Sequence, residues 1–291
     1  MHISNILKSN KVHFSFEFFP PKTKEASYKL FETIKELSPI SPSFVSITHG
    51  AGGSTKELTQ DLVLRLKNET TLNIVAHLTA IGASRKEIKI QLQRYSEAGI
   101  KNILAIRGDV SKETDPYIPM KNGFQYAAQM VAFIKKHFPH FGIGIAGFPE
   151  GHPETPNRLK EIEYLKAKVD AGADYICTQL FFDNHNYYDF CERCELAGIK
   201  IPIIAGIMPI TSLNSLKRIS ELALGVHFPA KLLRAIQRAK DTKSIEKIGI
   251  HWATQQVFDL YDNDISGIHF YTLNHSMATL KIYEILGMSL K

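Results

Sequence analysis

Cysteine is scarce in this chain of 291 residues: only Cys177, Cys191 and Cys194 are present, an odd number that argues against a secreted disulfide framework. No window approaches the roughly 20 consecutive apolar residues of a membrane span. Met1 to Asn10 also lack an apolar stretch long enough for the core of a signal peptide, so a cytoplasmic location is expected. There is no Pro/Gly/Ser-rich linker, no low-complexity tract and no C-x-x-C pair of pairs. A single domain over residues 1–291 is the expectation, and at this length its core needs neither metal nor disulfide. Neither sign of charge dominates. With 35 Lys+Arg against 29 Asp+Glu the net charge is +6, which favours anionic partners without naming one.

What the chain does contain is rhythm. β-rich apolar runs recur at Val12–Phe18, Phe44–Thr48, Asn73–Thr79, Asn102–Ile106, Gly142–Gly147, Asp174–Leu180, Pro202–Ile207 and Gly267–Thr272, with amphipathic segments between them. Eight strands alternating with helices make an α/β (β/α)8 TIM barrel the expected fold class. Ser54-Thr55-Lys56-Glu57 and Ser84-Arg85-Lys86-Glu87 read as capping boxes, and Thr155-Pro156 as a cap followed by proline at the first helical position. Leu159, Ile162, Leu165 and Val169 are spaced as one apolar stripe, with Gly172 just past that helix. The gap from Ile207 to Gly267 is too long for one crossover and is expected to hold extra helices between strands 7 and 8.

In such a barrel, chemistry collects where strand C-terminal ends meet the following loops. Ser15 and Glu17 share one face of the first strand, with Phe14, Phe16 and Phe18 on the other. A carboxylate in that setting is costly to leave ionised, which raises its pKa and suits a general acid; a structural glutamate paired with a buried Arg or His is the competing account. Polar residues stand at the same end of most other strands: Thr48 and His49, His77, Arg107-Gly108-Asp109, Phe148 to His152, Gln179 and Tyr271. Any lone histidine among them is explained as a satisfied core residue. The concentration at one end points to an enzyme.

Three motifs are set aside. Gly142-Ile143-Gly144-Ile145-Ala146-Gly147 matches a dinucleotide fingerprint in letters, but it lies within a strand and runs into Phe148-Pro149 instead of opening a helix. Cys191-Glu192-Arg193-Cys194 is mid-helix with no second pair. Glu150, His152 and Glu154 alternate beside Pro149 and Pro153, which suits loop shaping better than metal ligation, so no metal is expected. From Lys217 to Lys247 eight basic residues face three acidic ones, read either as a solvated helix face or as a docking surface for an anionic tail or nucleic acid.

The segments Phe16 to Lys22, Ile106 to Asp109, Phe148 to Glu154, Asp170 to Asp174, Thr178 to Asp183 and His269 to Asn274, in this order, resemble the methylenetetrahydrofolate reductase family in its short bacterial form. The resemblance implies FAD-dependent reduction of 5,10-methylenetetrahydrofolate to 5-methyltetrahydrofolate by NADH or NADPH in a ping-pong cycle. It also implies small-molecule substrates as the partners, and a homo-oligomer. By resemblance, Glu17 is the acid that protonates N10, Asp109 a carboxylate near flavin and pterin, and Gln179 the amide that pairs with the pterin, with Ile219 and His275 also on the substrate side. The FAD contacts carry over onto Thr48, His49, Ala51, His77, Arg107, Gly108, Asp109, Tyr126, Phe148, His152, Glu161, Tyr164 and Lys168, with Lys168 placed against the pyrophosphate. Three positions depart from relatives: His275 stands where many have arginine, Phe148 where tyrosine is common, and Ala167 where some carry a basic residue. Two other readings are carried alongside, a flavin barrel acting on another substrate, as proline dehydrogenase does, and a non-catalytic basic binding protein. If the basic stretch serves the reductase, it is expected to receive the polyglutamate tail of folates.

Overall fold

The computed structural model describes residues 1–9, 11–49, 56–108, 122–223 and 225–287. Eight parallel strands, β1 (His13–Phe18), β2 (Phe44–Ile47), β3 (Ile74–Thr79), β4 (Asn102–Ile106), β5 (Gly142–Gly147), β6 (Tyr175–Leu180), β7 (Ile203–Ile207) and β8 (Gly267–Tyr271), pair in sequence order, and β8 returns to β1 to close a barrel. The helices are α1 (Ile3–Ile6), α2 (Lys24–Leu37), α3 (Lys56–Glu69), α4 (Arg85–Glu97), α5 (Ala127–His137), α6 (Arg158–Asp170), α7 (Asn184–Leu196), α8 (Leu213–Leu222), α9 (Ala230–Gln237), α10 (Thr242–Asp262) and α11 (Met277–Ile285). Each expected strand is present to within a residue at either end. The long gap before β8 holds three helices, α8, α9 and α10.

Strand alternation sorts the side chains into two cores. Phe14, Phe16, Phe18, Val45, Ile47, Ile103, Ile143, Ile145, Ile268 and Phe270 point outward into one continuous cluster with the surrounding helices. Phe44, Val75, Leu104, Tyr175, Cys177 and Ile204 point inward and form a separate cluster with Ile3 and Leu7. Helix α1 therefore closes the N-terminal end of the barrel. Asn102 fixes it there: its Oδ1 accepts the Ile3 N–H at 2.9 Å and its Nδ2 donates to the Met1 carbonyl at 2.9 Å.

Two of the three glycines of β5 answer to this interior; at the third, Gly147, a Cβ would lie 2.7 Å from Ile176 Cγ2 in the outer core. A Cβ on Gly144 would lie 2.4 Å from Tyr175 Cζ, and one on Gly142 2.7 Å from Asn102 Oδ1. Small residues on β5 leave the space that Tyr175 and Asn102 fill, which is why letters matching a nucleotide fingerprint occur inside a strand.

Helix starts follow capping chemistry. Ser84 and Glu87 form the expected reciprocal box on α4. Ser54 and Thr55 lie outside the described residues. The start of α6 differs from expectation: Asn157, not Thr155, is the cap, and its Oδ1 accepts the Lys160 N–H at 3.0 Å. With the helix beginning at Arg158, Leu159 falls in the first turn at the margin of the apolar stripe and is 77% exposed, whereas Ile162 and Leu165 are buried as expected. Cys194 packs in the outer core, and all three cysteines are free. Among the described residues no helix is long and apolar enough to cross a membrane.

Candidate functional site

The inward positions near the strand C-terminal ends build a polar cluster from opposite sides of the barrel. Register places Ser15 beside His269 and Glu17 beside Tyr271 across β1–β8, and Glu17 beside Ser46 across β1–β2. Glu17 Oε2 lies 3.6 Å from His77 Nε2 on β3 and 4.0 Å from His269 Nε2 on β8. His269 is itself held on both ring nitrogens, by Ser15 Oγ at 2.7 Å from Nδ1 and Ser46 Oγ at 3.2 Å from Nε2.

No lysine or arginine pairs with Glu17 among the described residues. Its side chain keeps 20% exposure at the barrel mouth, but the packing around it is dense. Burial therefore pushes the Glu17 carboxyl up to about 8, so it carries its proton at neutral pH. The same burial pulls His77 and His269 down to about 3; His269 and His49 add to the effect on His77. The cluster is thus one neutral acid between two neutral imidazoles. Tyr271 completes one wall, its hydroxyl donating to the Thr178 carbonyl at 2.6 Å, and burial holds this phenol well above its ordinary range.

Around this floor stand the other expected residues. Thr48 is tied into the rim, its N–H donating to Phe18 O and its carbonyl accepting from Thr59 Oγ1. Two imidazole nitrogens, His77 Nε2 and His49 Nδ1, are buried with no hydrogen-bond partner among the described residues. Burial, then Lys56, draws His49 down to about 4, so it is neutral as well. Gly108 follows β4 with φ +87°, a conformation that favours glycine, and a Cβ there would come within 3.2 Å of Thr79. Arg107 reaches from the end of β4 to Glu154, Nη1 to Oε2 at 2.7 Å, and this pairing lowers the Glu154 carboxyl pKa.

The loop after β5 is braced at several points. Glu161, buried on α6, accepts the His152 N–H at 3.0 Å, His152 Nδ1 accepts the Glu154 N–H, and Phe148 meets the His152 ring edge-on at 4.9 Å. Glu150 accepts from Asn186 Nδ2 at 2.7 Å and the His227 N–H at 3.0 Å. Glu150 and Glu154 are thus engaged in shaping this loop. Lys168 lies beneath it, donating to Ala146 O at 2.7 Å; burial pulls its ammonium down to about 8 despite Glu161 nearby. Tyr164 and Tyr126, by contrast, are more than half exposed.

On the substrate side, Gln179 Oε1 accepts the Leu180 N–H at 2.9 Å, His275 is exposed, and Ile219 is fully buried in α8 among Leu180, Phe182, Met208 and Leu232. The eight basic residues of the 217–247 stretch are all exposed. Ala51 and Asp109 lie outside the described residues. Two members of the cluster, Ser46 and His269, were not foreseen as site residues. Strand parity is the signal that finds them: each lies two residues before a strand-end residue already singled out, Thr48 or Tyr271. The arrangement as a whole can deliver one proton from a buried carboxylic acid to a group seated at the barrel mouth.

Comparison with known proteins places this geometry in a lineage. Residues 2–287 match the family described as methylenetetrahydrofolate reductase. The chain is 34% identical over 281 residues to the 5,10-methylenetetrahydrofolate reductase of Escherichia coli, covering 96% of this chain and 92% of that protein. It is 36% identical over 297 residues to methylenetetrahydrofolate reductase (NADH) 1 of Arabidopsis thaliana, covering 98% of this chain but 50% of the plant protein. The chain likewise spans about half the length of the fungal relatives it matches. Among solved structures, an uncharacterized protein from Clostridium thermocellum that binds two copies of 5-methyl-5,6,7,8-tetrahydrofolic acid shares the fold. Its TM-score is 0.71 at 14% identity, covering 97% of this chain and 96% of that one.

Proposed function

The chain belongs to the methylenetetrahydrofolate reductase family, and from that premise we propose that it reduces 5,10-methylenetetrahydrofolate to 5-methyltetrahydrofolate with electrons from NAD(P)H carried by FAD. The observation that carries this reading is the neutral Glu17 carboxyl at the barrel mouth. Opening the five-membered ring of the substrate breaks the bond from N10 to the one-carbon unit, leaving a cationic 5-iminium group and an amine that must take up a proton. Glu17, protonated up to about pH 8 and unpaired with any described cation, is suited to give that proton to N10. The hydride added to the iminium carbon and the proton added to N10 balance the oxidation of one NAD(P)H.

FAD, when bound, supplies the carrier that accepts a hydride from the nicotinamide and yields one to the folate. The residues present fit such a group. His77 Nε2 and His49 Nδ1, without partners among the described residues, can each give or accept one hydrogen bond to such a group, and Gly108 keeps the backbone open where a side chain would crowd Thr79. Thr48, Arg107, Tyr126, Phe148, His152, Glu161, Tyr164 and Lys168 surround the same mouth in this reading. Asp109, whose charge would stabilise the iminium cation, and Ala51 join the list by resemblance to the family, and Gln179 is proposed to pair with the pterin.

The test is an anaerobic absorption spectrum of the protein with FAD, taken before and after NADH and again after methylenetetrahydrofolate. Flavin bands that bleach with the nucleotide and return with the folate support both halves of the cycle. Bands that bleach and stay bleached with folate move the substrate assignment to another amine, and proline, an electron donor, is then tried against the oxidised flavin, whose bands it would bleach. A chain that takes up no FAD overturns the reading.

A further inference from the structure

The chain leaves β8 through a strained turn. Leu273 (φ +48°) and Asn274 (φ +60°) stand one after the other in the left-handed region. Asparagine tolerates that conformation, but leucine adopts it only where the surroundings impose it. Such strain collects at functional sites, and this turn uses it to grip the end of β1. The Asn274 carboxamide meets one residue twice: Oδ1 accepts the Phe19 N–H at 3.0 Å, and Nδ2 donates to the Phe19 carbonyl at 2.9 Å. It takes the place of a neighbouring strand, because the β1–β8 pairing stops at Glu17 and Tyr271. At the head of the turn Thr272 Oγ1 donates to the Glu17 carbonyl at 2.7 Å and accepts the Asn274 N–H at 3.1 Å. Thr33 on α2 steadies the arrangement, its Oγ1 donating to the Asn274 carbonyl at 3.2 Å. From the other side the Thr48 N–H donates to the Phe18 carbonyl at 2.9 Å, so Glu17, Phe18 and Phe19 are each held by their main chain.

We propose that Asn274 is a positioning residue: together with Thr272 it straps the exit of β1, so that the Glu17 carboxyl stays fixed and shielded from water at the barrel mouth. The inference rests on the reading of Glu17 as the acid that serves N10. Both residues act through the main chain of residues 17–19, and neither has a proton to give in the reaction. A strand end without a ladder partner is free to fray, and a reacting group misplaced by about 1 Å can cost on the order of a hundredfold in rate. The strap removes that freedom at the residue where it matters most.

Substitution separates the grip from the turn. Asn274→Gly keeps the left-handed backbone, which glycine adopts freely, and deletes only the carboxamide. Thr272→Val and Thr272→Ser form a second pair, of which serine alone keeps the hydroxyl that holds Glu17. In the FAD-loaded protein the folate half-reaction is expected to slow at least tenfold in Asn274→Gly and in Thr272→Val. Reduction by NADH stays at the parental rate in both, and Thr272→Ser restores the folate step. A turn that serves stability alone predicts lower melting temperatures with no such split, so half-reactions that slow together overturn the proposal.

The Glu17 proton is also read without turnover. The carboxylic-acid carbonyl band is titrated by infrared difference spectroscopy and assigned as the band lost in Glu17→Gln. Burial is what raises this carboxyl, so water admitted by a loosened strand exit lowers its midpoint. A fall of about one pH unit, a tenfold loss of proton affinity, is expected in Asn274→Gly and Thr272→Val. The titratable groups facing Glu17 are His77 on β3, Cys177 on β6, and His269 and Tyr271 on β8; all are common to every variant, and each keeps one form across this range. Midpoints that stay at the parental value in both variants, or that fall as far in Thr272→Ser, overturn the strap, and either position decides alone if the other variant does not fold. The titration needs no folate and no flavin. A chain that fails as a reductase but shows these shifts would sink the proposed function and leave the strap standing.

Discussion

Glu17 Oε2 and His77 Nε2 stand 3.6 Å apart, a distance at which an ion pair would form, and yet both are neutral at physiological pH. Burial raises the acid and lowers the base until their order of proton affinity is inverted relative to water. The proton rests on the carboxyl, which is where a reaction that must protonate an amine needs it.

Replacing that acid separates chemistry from binding. Glu17→Gln keeps the shape and a hydrogen-bond donor but has no proton to give. The folate step is expected to slow by about 10²–10⁴-fold, the usual contribution of a general acid, while reduction by NAD(P)H persists. Stopped-flow absorbance of each half-reaction checks this, and an unimpaired folate step would remove Glu17 from the mechanism.

The same substitution carries a stability signature. A carboxyl that titrates near 8 in the folded chain and near 4.5 when unfolded takes up a proton on folding between those values, so folded stability falls as pH rises from about 4.5 to 8. Glu17→Gln lacks this loss. It is expected to be more stable than the parent at pH 8–9 by on the order of 3 kcal/mol and equal to it near pH 4, as read by urea denaturation at the two ends.

The imidazoles act on the acid side. His77 and His269 are neutral in the fold down to about pH 3 but protonate near 6.5 when unfolded, so stability is lost as pH falls from about 6.5 toward 3. His77→Asn is expected to reduce the slope of stability against pH near pH 5 by one proton, about 1.4 kcal/mol per pH unit. An unchanged slope would mean that His77 is charged in the folded chain.

Packing inside the barrel is testable at Gly144. An alanine there drives its methyl group into the Tyr175 ring and is expected to cost about 1–3 kcal/mol, with part of the loss recovered in the double variant with Tyr175→Leu. Thermal melts of the two single variants and the double give the coupling.

At the opposite face, Asp174 Oδ2 accepts both the Ile143 N–H at 2.7 Å and Lys135 Nζ at 2.8 Å. Asp174→Ala leaves a strand N–H without its partner and is expected to cost about 2 kcal/mol without altering the Glu17 titration. A shift in that titration would mean that the two ends of the barrel are coupled.

The barrel is legible in the chain because eight short apolar runs, buried on both faces as parallel strands are, recur between amphipathic segments, and β1 among them alternates, Phe14, Phe16 and Phe18 outward against Ser15 and Glu17 inward. Glu17 is legible for the same reason, as a carboxylate flanked by phenylalanines. His269 is harder to see, since a histidine two residues inside a strand end looks like any core histidine until the register with Ser15 and Ser46 is known. The cap of α6 escaped because Thr155-Pro156 and Asn157 are both plausible starts, and the choice lies in backbone geometry set by the braced loop before it. Arg107 and Lys168 show the further limit: sequence supplies a positive charge, but not that Glu154 and the Ala146 carbonyl already hold it.

Helix α1, bolted to Asn102 with Ile3 and Leu7 packed on the interior residues, makes the barrel a cul-de-sac. Anything that reaches Glu17 arrives past the C-terminal ends of the strands and departs by the same doorway. In the proposed reaction the nucleotide and the folate would share that one doorway.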